Sequence, residues 1–271
     1  MRLLLFGPGY AGSRLIARFA PHGWRIATVT RETFADRART EFEIAHATHI
    51  VSTVAPEADR DPVLAGYGPQ LAASKAWLGY LSSTGVYGDT GGAWVDESAP
   101  ITPGRRTARA QADTAWGELP NARLFRLPGI YGPGRSPLDR IRPRIDAPGQ
   151  VFSRIHVDDL VEGVIAGFDG PPGAYNLADD LPAAQADVIA YACRLLGRDI
   201  PPLVPLESAG LTPQARAFYA ENRRVANGKA RRLLGWRPLY PDYRFGLRAL
   251  SAITSPAITS AAPPPASTDQ R

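Results

Sequence analysis

The 271-residue sequence has one cysteine, Cys193, which excludes an internal disulfide. It lies in the apolar helical pattern AYACRLLG, where a buried, inert thiol is expected rather than a nucleophile. Lysine is almost as scarce: only Lys75 and Lys229 occur, and the rest of the 31 basic residues are arginine. No stretch approaches the roughly 18–20 apolar residues of a membrane span. The opening MRLLLFGPGY lacks the longer apolar region and cleavage site of a signal peptide. A cytoplasmic protein without a membrane partner is expected. The formal charge of +5 raises the question of nucleic acid. The arginines are scattered among acids and no aromatic RNA-binding motif accompanies them, so no nucleic-acid partner is expected. His46 and His49 stand three apart with no cysteine or third histidine nearby, so no metal site is expected. Neither G-x-S-x-G nor a Ser–His–Asp arrangement is present.

What is there points to a globular α/β chain, with 44% hydrophobic and 21% charged residues. Leu3–Phe6 reads as a buried first strand. Trp24–Thr30, Thr48–Val54, Leu78–Ser82 and Ala122–Leu127 follow as β-rich runs. Helices are expected between them: one carrying Leu15, Ile16 and Phe19, a second around Phe34–Arg39, a third over Gly66–Trp77, and a fourth from Thr102-Pro103 to about Leu119. This alternation predicts a Rossmann-type doubly wound parallel sheet with helices on both faces. The stretch between Arg31 and His49 is too short for the helix, strand and helix of a full half, and Phe42–Ile44 offers at most a stub of strand. After Gly132 prolines break the chain up. Helices over Val157–Phe168 and Ala184–Leu196 and a strand over Ala174–Leu177 are expected there. The expected division is a dinucleotide-binding domain over residues 1–130, a smaller, partly interwoven substrate lobe over 131–250, and a disordered Ser/Ala/Pro-rich tail over 251–271.

Gly7-Pro8-Gly9-Tyr10-Ala11-Gly12 matches G-x-G-x-x-G between a strand and a helix. The first glycine permits the tight turn, the second lets backbone approach a pyrophosphate, and the third lets the helix pack on the strand. The helix N-terminus adds free N–H groups and partial positive charge. Arg31 closes the second strand 19 positions past Gly12, where an arginine accommodates the 2′-phosphate of NADP. Glu32 beside it keeps NAD as the alternative. Thr53 and Ala55, at the end of the third β-rich run, complete the cofactor-binding candidates on this side.

Four further motifs carry a family resemblance: Leu81-Ser82-Ser83-Thr84-Gly85-Val86-Tyr87-Gly88-Asp89, Asp96-Glu97-Ser98-Ala99-Pro100, Arg126–Gly134 (RLPGIYGPG) and Ile155-His156-Val157-Asp158-Asp159-Leu160. With Gly235-Trp236-Arg237-Pro238 near the end, the chain resembles the extended short-chain dehydrogenases/reductases, the NAD-dependent epimerase/dehydratase-like group, over about residues 1–250. The resemblance implies that Ser83 polarises a substrate oxygen and that Pro128-Gly129 passes the nicotinamide. It also implies a Tyr-x-x-x-Lys pair on the helix after D-E-x-x-P. That pair is missing: no tyrosine occurs between Tyr87 and Tyr131, and Arg105 and Arg109 take the two positions. Arginine stays protonated and is no general base. Arg109 is left to bond the nicotinamide ribose and Arg105 to bind an anionic substrate. Tyr87, Tyr131 and His156 are the substitute proton carriers, with Tyr87 placed among the catalytic candidates. The implied function is NAD(P)-dependent oxidoreductase or epimerase-like hydride chemistry on a small carbonyl or sugar-like substrate, of undetermined oligomeric state. The alternative is a non-catalytic dinucleotide-binding redox sensor or regulator.

Overall fold

The structure, a computed structural model, describes residues 1–57, 60–102 and 107–254. In chain order the strands are β1 (Arg2–Phe6), β2 (Arg25–Val29), β3 (His49–Ser52), β4 (Trp77–Ser83), β5 (Trp94–Val95), β6 (Ala122–Leu127), β7 (Gly129–Tyr131), β8 (Arg144–Asp146), β9 (Arg154–His156), β10 (Gly173–Asn176), β11 (Leu203–Pro205) and β12 (Arg224–Val225). The α-helices are α1 (Tyr10–Phe19), α2 (Arg37–His46), α3 (Pro62–Ala73), α4 (Thr107–Gly117), α5 (Val157–Ala166), α6 (Gln185–Leu195), α7 (Pro213–Ala217), α8 (Gly228–Leu234) and α9 (Tyr243–Thr254).

Six strands form one sheet in the order β10-β6-β4-β3-β1-β2, every pair parallel. Strands β1, β4 and β6 are buried almost throughout, as apolar runs covered on both faces should be. One face packs Leu3, Leu5 and Leu127 against α1 and α5, and the other packs Leu4, Phe6 and Leu78 against α2, α3 and α4. The remaining strands pair two by two: β11 with β8, β12 with β5, β7 with β9.

Between β2 and β3 the chain makes only α2, capped by Asp36, whose carboxylate accepts from Arg39 N at 3.2 Å. The helix lies later than Phe34–Arg39 and absorbs Phe42–Ile44, so no strand stands outside β2. The chain therefore crosses β1 after one helix, and β3 pairs on the opposite side of β1 from β2. This places β1 one position from the sheet edge. It also puts the switch in strand order between β1 and β3, where open α/β sheets bind ligands at the strands' C-terminal ends.

The third helix starts earlier than Gly66. Asp61 caps it by accepting from Leu64 N at 2.9 Å, and Pro62 occupies its first turn. Trp77, expected at its end, instead begins β4 and donates from Nε1 to Gly167 O at 2.9 Å. Helix α9 runs through Thr254, into the stretch read as a tail. Cys193 is buried and free. Among the described residues no helix is long and apolar enough to cross a membrane.

Candidate active site

Strand β1 ends in the glycine loop, and the loop's three glycines serve different ends. Gly7 has φ +75°, and a Cβ there would meet Val54 Cγ2 at 2.8 Å. A Cβ on Gly12 would meet Gly7 O at 2.9 Å and Leu5 Cδ2 at 3.1 Å, so α1 closes on the strand only without a side chain. A Cβ on Gly9 would meet nothing within 4 Å. Its open side is where a pyrophosphate would lie against backbone at the start of α1. Thr53 ties β3 to this loop, its N–H donating to Phe6 O at 3.0 Å and its hydroxyl donating to Gly7 O. These residues fit a dinucleotide.

A cleft of about 950 Å³ begins here and runs over the C-terminal ends of the strands. Gly9, Tyr10, Ala11, Thr53, Ser83, Arg109, Pro128 and Gly129 all line it. Gly7 and Gly12 stand behind it as packing positions. Arg31 is outside the lining and exposed, 3.6 Å from Glu57; Ala55 is exposed and also outside it. The Glu32 carboxylate accepts from Thr30 Oγ1 at 2.5 Å, which holds its pKa below the usual range. Tyr10 reaches across the mouth of the cleft. Its hydroxyl donates to Pro133 O at 3.1 Å and the Arg135 guanidinium stands 5.4 Å from its ring centre.

Ser83 ends β4. Its Oγ accepts from Gly85 N at 3.1 Å, which leaves the hydroxyl proton without an acceptor among the described residues. Arg109 stands on the first turns of α4, half-buried, with no hydrogen bond to a described residue. Arg105 lies outside the described residues.

Tyr87 is a correction to the substitute acids. It is 2% exposed and absent from the cleft lining. Its hydroxyl donates to Asn176 Oδ1 at 2.7 Å and accepts from Arg126 Nη1 at 3.0 Å. Burial raises its pKa, and the phenol is held inside the structure by a buried network. Tyr131 lines the cleft, but its hydroxyl packs against Gly246 on α9 without a partner, and burial pushes its pKa up. His156 is the N-cap of α5: Nδ1 accepts from Asp158 N at 3.2 Å, and burial lowers its pKa. His46 and His49 have separate surroundings, His46 bonded through Nδ1 to Phe42 O at 2.7 Å and His49 packed at tilted angles among aromatic rings. Among the described residues no group of three or more metal-ligating side chains comes together.

The sequence reading missed the far end of the cleft. It is lined by Arg142, Arg154, Phe152, Tyr219 and Arg223, from segments distant in the chain. The rings of Phe152 and Tyr219 meet edge to face at 5.4 Å. Arg154 Nη1 donates to Phe152 O at 2.7 Å and Ala183 O at 2.9 Å. Arg223 bonds Glu221 Oε2 at 3.0 Å. Periodicity could not have signalled this surface, because it is built from loops, the start of the three-residue strand β9 and a short 3₁₀ turn.

No family model matches the chain. A conserved protein of unknown function from Silicibacter pomeroyi DSS has a solved structure that superposes with a TM-score of 0.85, at 44% identity, covering 93% of this chain and 98% of that one. The chain belongs to that protein's family. The family has the fold of the NAD-dependent epimerase/dehydratase-like short-chain dehydrogenases/reductases. A dTDP-glucose 4,6-dehydratase from Bacillus anthracis str. Ames, in complex with NAD, matches with a TM-score of 0.72 at 18% identity over 93% of this chain and 96% of that one. A human epimerase family protein with NADPH gives a TM-score of 0.70 at 18% identity, over 93% and 99%. A 3-diazoavenalumate denitrifying reductase from a Streptomyces species is 30% identical over 179 residues, which span 56% of this chain and 58% of that protein's length.

Proposed function

We propose that the chain is an NAD(P)-dependent reductase that works without a Tyr–Lys proton relay. The observation that carries the reading is the single cleft: the open face of Gly9, the free hydroxyl proton of Ser83 and the Pro128-Gly129 turn line one continuous surface. The Streptomyces relative is a reductase, which agrees in reaction class.

In this reading Gly9, Tyr10 and Ala11 hold the pyrophosphate, with Gly7 and Gly12 shaping the loop and Thr53 bracing it. Arg109 takes the lysine's place at the nicotinamide ribose, and Pro128 and Gly129 support the ring. A bound nicotinamide dinucleotide supplies hydride. Ser83 donates its hydrogen bond to the substrate oxygen that gains charge, and the Gly85 N–H on its Oγ makes that hydroxyl a better donor. The proton that completes reduction comes from solvent: the phenols of Tyr87 and Tyr131 are directed elsewhere, and that of Tyr10 is bonded to Pro133 O.

Arg31 stands two residues past the end of β2, at the expected distance from the loop, and is exposed beside Glu57, so NADP is the proposed partner over NAD. A bidentate arginine–phosphate contact contributes about 1.5–3 kcal/mol, roughly tenfold or more in affinity. Isothermal titration of wild type and Arg31→Ala with both cofactors tests this; equal affinities in wild type refute it. Single-turnover hydride transfer in wild type and Ser83→Ala tests the chemistry. Transfer that slows in Ser83→Ala supports the mechanism, and equal rates remove Ser83 from it. Tight cofactor binding with no transfer to any substrate favours the non-catalytic sensor, a reading that the missing general base supports.

A further inference from the structure

We propose that the far end of the cleft selects a small, planar, aromatic or conjugated carboxylate, with the Arg142 guanidinium on the carboxylate and the Phe152–Tyr219 ring pair against the plane. This rests on the reductase reading above and gives it a substrate class.

The chemistry of the lining carries the inference. A sugar is recognised by side chains with unused donors and acceptors facing its hydroxyls. At this end several of the acceptors are already engaged within the protein. Ser153 Oγ accepts from Val225 N at 3.0 Å, and Thr212 Oγ1 accepts from Ala215 N at 3.2 Å. Glu221 Oε2 takes both terminal nitrogens of Arg223, at 3.0 and 3.1 Å. Beside the hydroxyl protons of Ser153 and Thr212, the open surface is aromatic and cationic. Phe152 and Tyr219 present ring surface, and their edge-to-face contact at 5.4 Å fixes the pair.

Arg142 differs from its neighbours in the cleft. Arg154 is anchored on two carbonyls, Arg223 on Glu221, and Arg135 lies over the Tyr10 ring. Arg142 is exposed, lines the cleft, and has no hydrogen bond or ion pair with a described residue. It stands near enough to Tyr219 for its charge, with that of Arg154, to oppose the rise that burial imposes on the phenol. A guanidinium beside a ring pair is matched by a ligand with a carboxylate at one end and a flat apolar body. Size agrees: one ligand pocket usually occupies about 300–1,000 Å³, and this cleft of about 950 Å³ must take the cofactor as well.

Isothermal titration of the full chain, with NADPH present and absent, tests the proposal with three probes: trans-cinnamate, its neutral counterpart cinnamyl alcohol, and UDP-glucose. Cinnamate should bind at least tenfold more tightly than the alcohol, and UDP-glucose should not displace it. Arg142→Ala should remove most of that difference, Arg142→Lys should restore part of it, and both should bind NADPH as wild type does. Equal affinity for acid and alcohol, tighter binding of UDP-glucose, or unchanged cinnamate binding in Arg142→Ala would each overturn it. The heat signal needs no turnover. Cinnamate binding without hydride transfer to any substrate therefore refutes the reductase reading alone. Hydride transfer to other substrates without cinnamate binding refutes the substrate class alone.

Discussion

Asp113 receives one guanidinium at both oxygens: Arg126 Nη2 donates to Oδ1 at 2.7 Å and Nε donates to Oδ2 at 3.1 Å. Ser82 Oγ adds a third bond, to Oδ2 at 2.5 Å. The two charged side chains are 1% and 6% exposed. Asp113 lies one helical turn beyond Arg109, so this pair sets where Arg109 stands over the cleft. From Arg126 the network continues through Tyr87 to Asn176 on the sheet's edge strand.

Removing one partner of a buried pair leaves an uncompensated charge, which costs about 3–5 kcal/mol. Asp113→Ala should lose that much in urea unfolding and should also weaken cofactor binding. Replacing both partners with apolar residues of similar volume, Asp113→Leu with Arg126→Met, should recover most of the stability. A double variant no more stable than Asp113→Ala alone would contradict the pairing argument.

The glycine loop makes a second prediction by contrast. Gly12→Ala forces a Cβ to within 2.9 Å of Gly7 O, an overpacking that costs about 1–3 kcal/mol. Gly9→Ala has no atom within 4 Å to strike, and φ at Gly9 is −76°. Its stability cost, the loss of a good N-cap residue, should stay below about 1 kcal/mol. Its effect should fall on cofactor affinity, since the added methyl occupies the pyrophosphate's side. Thermal unfolding and dinucleotide titration of the two variants separate these effects. A Gly9→Ala protein that binds cofactor normally would disconnect that face from the ligand.

The sheet was legible because its strands are covered on both faces, and continuous apolar runs such as Leu3–Phe6 and Ala122–Leu127 announce such strands directly. The loop was legible because glycine at positions 7 and 12 answers to packing distances that no other residue meets. The short connection between Arg31 and His49 was also readable, and the absence of a strand there explains why β1 lies one position from the edge. Tyr87 was misjudged for a physical reason. Its neighbours in sequence include Ser83, but a tight 3₁₀ turn over Thr84–Tyr87 swings its ring beneath the cleft to Arg126 and Asn176. The arginine and aromatic surface of Arg142, Phe152 and Tyr219 depends on three segments distant in the chain meeting, which no local pattern encodes.

His49 makes the fold sensitive to acid. Its ring lies 4.4 Å from Phe168, 4.9 Å from Trp24 and 5.8 Å from Trp77 between ring centres. Burial lowers its pKa to about 4. The folded state therefore favours neutral imidazole, and the unfolded chain binds a proton first. The contribution is fully present above about pH 6.5 and is lost as pH falls towards 4; solvent at the partly exposed ring screens it to roughly 1 kcal/mol. Asp159 works in the opposite sense. It is buried and raised to about 6, so its contribution favours the fold at lower pH and is lost as pH rises through 6. Comparison of wild type with His49→Phe cancels the Asp159 effect. Between pH 7 and 4.5 wild type should lose more than the variant, by roughly 1 kcal/mol, in urea unfolding. Parallel losses would mean that His49 is not the sensor.

Arg109 tests the absence of a proton relay. In a Tyr–Lys pair the lysine lowers the tyrosine's pKa, and removing it changes how rate depends on pH. An arginine does not titrate in the accessible range, and the phenol that feels its charge, Tyr80, is fully buried and does not line the cleft. If Arg109 holds the nicotinamide ribose, Arg109→Ala should raise the dissociation constant of the dinucleotide by roughly tenfold, the value of a charge-assisted bond. The single-turnover rate at saturating cofactor should keep the same profile from pH 6 to 9. Arg109→Lys should recover affinity without creating a new limb in that profile, because the phenol near it, Tyr80, is buried away from the cleft. A limb that shifts or disappears in Arg109→Ala would show that Arg109 acts on a titrating donor. Tyr219, which lines the same cleft and feels the charges of Arg154 and Arg142, would then be the residue to replace next. A Tyr219→Phe variant that abolishes the limb would identify that donor and overturn the relay-free mechanism.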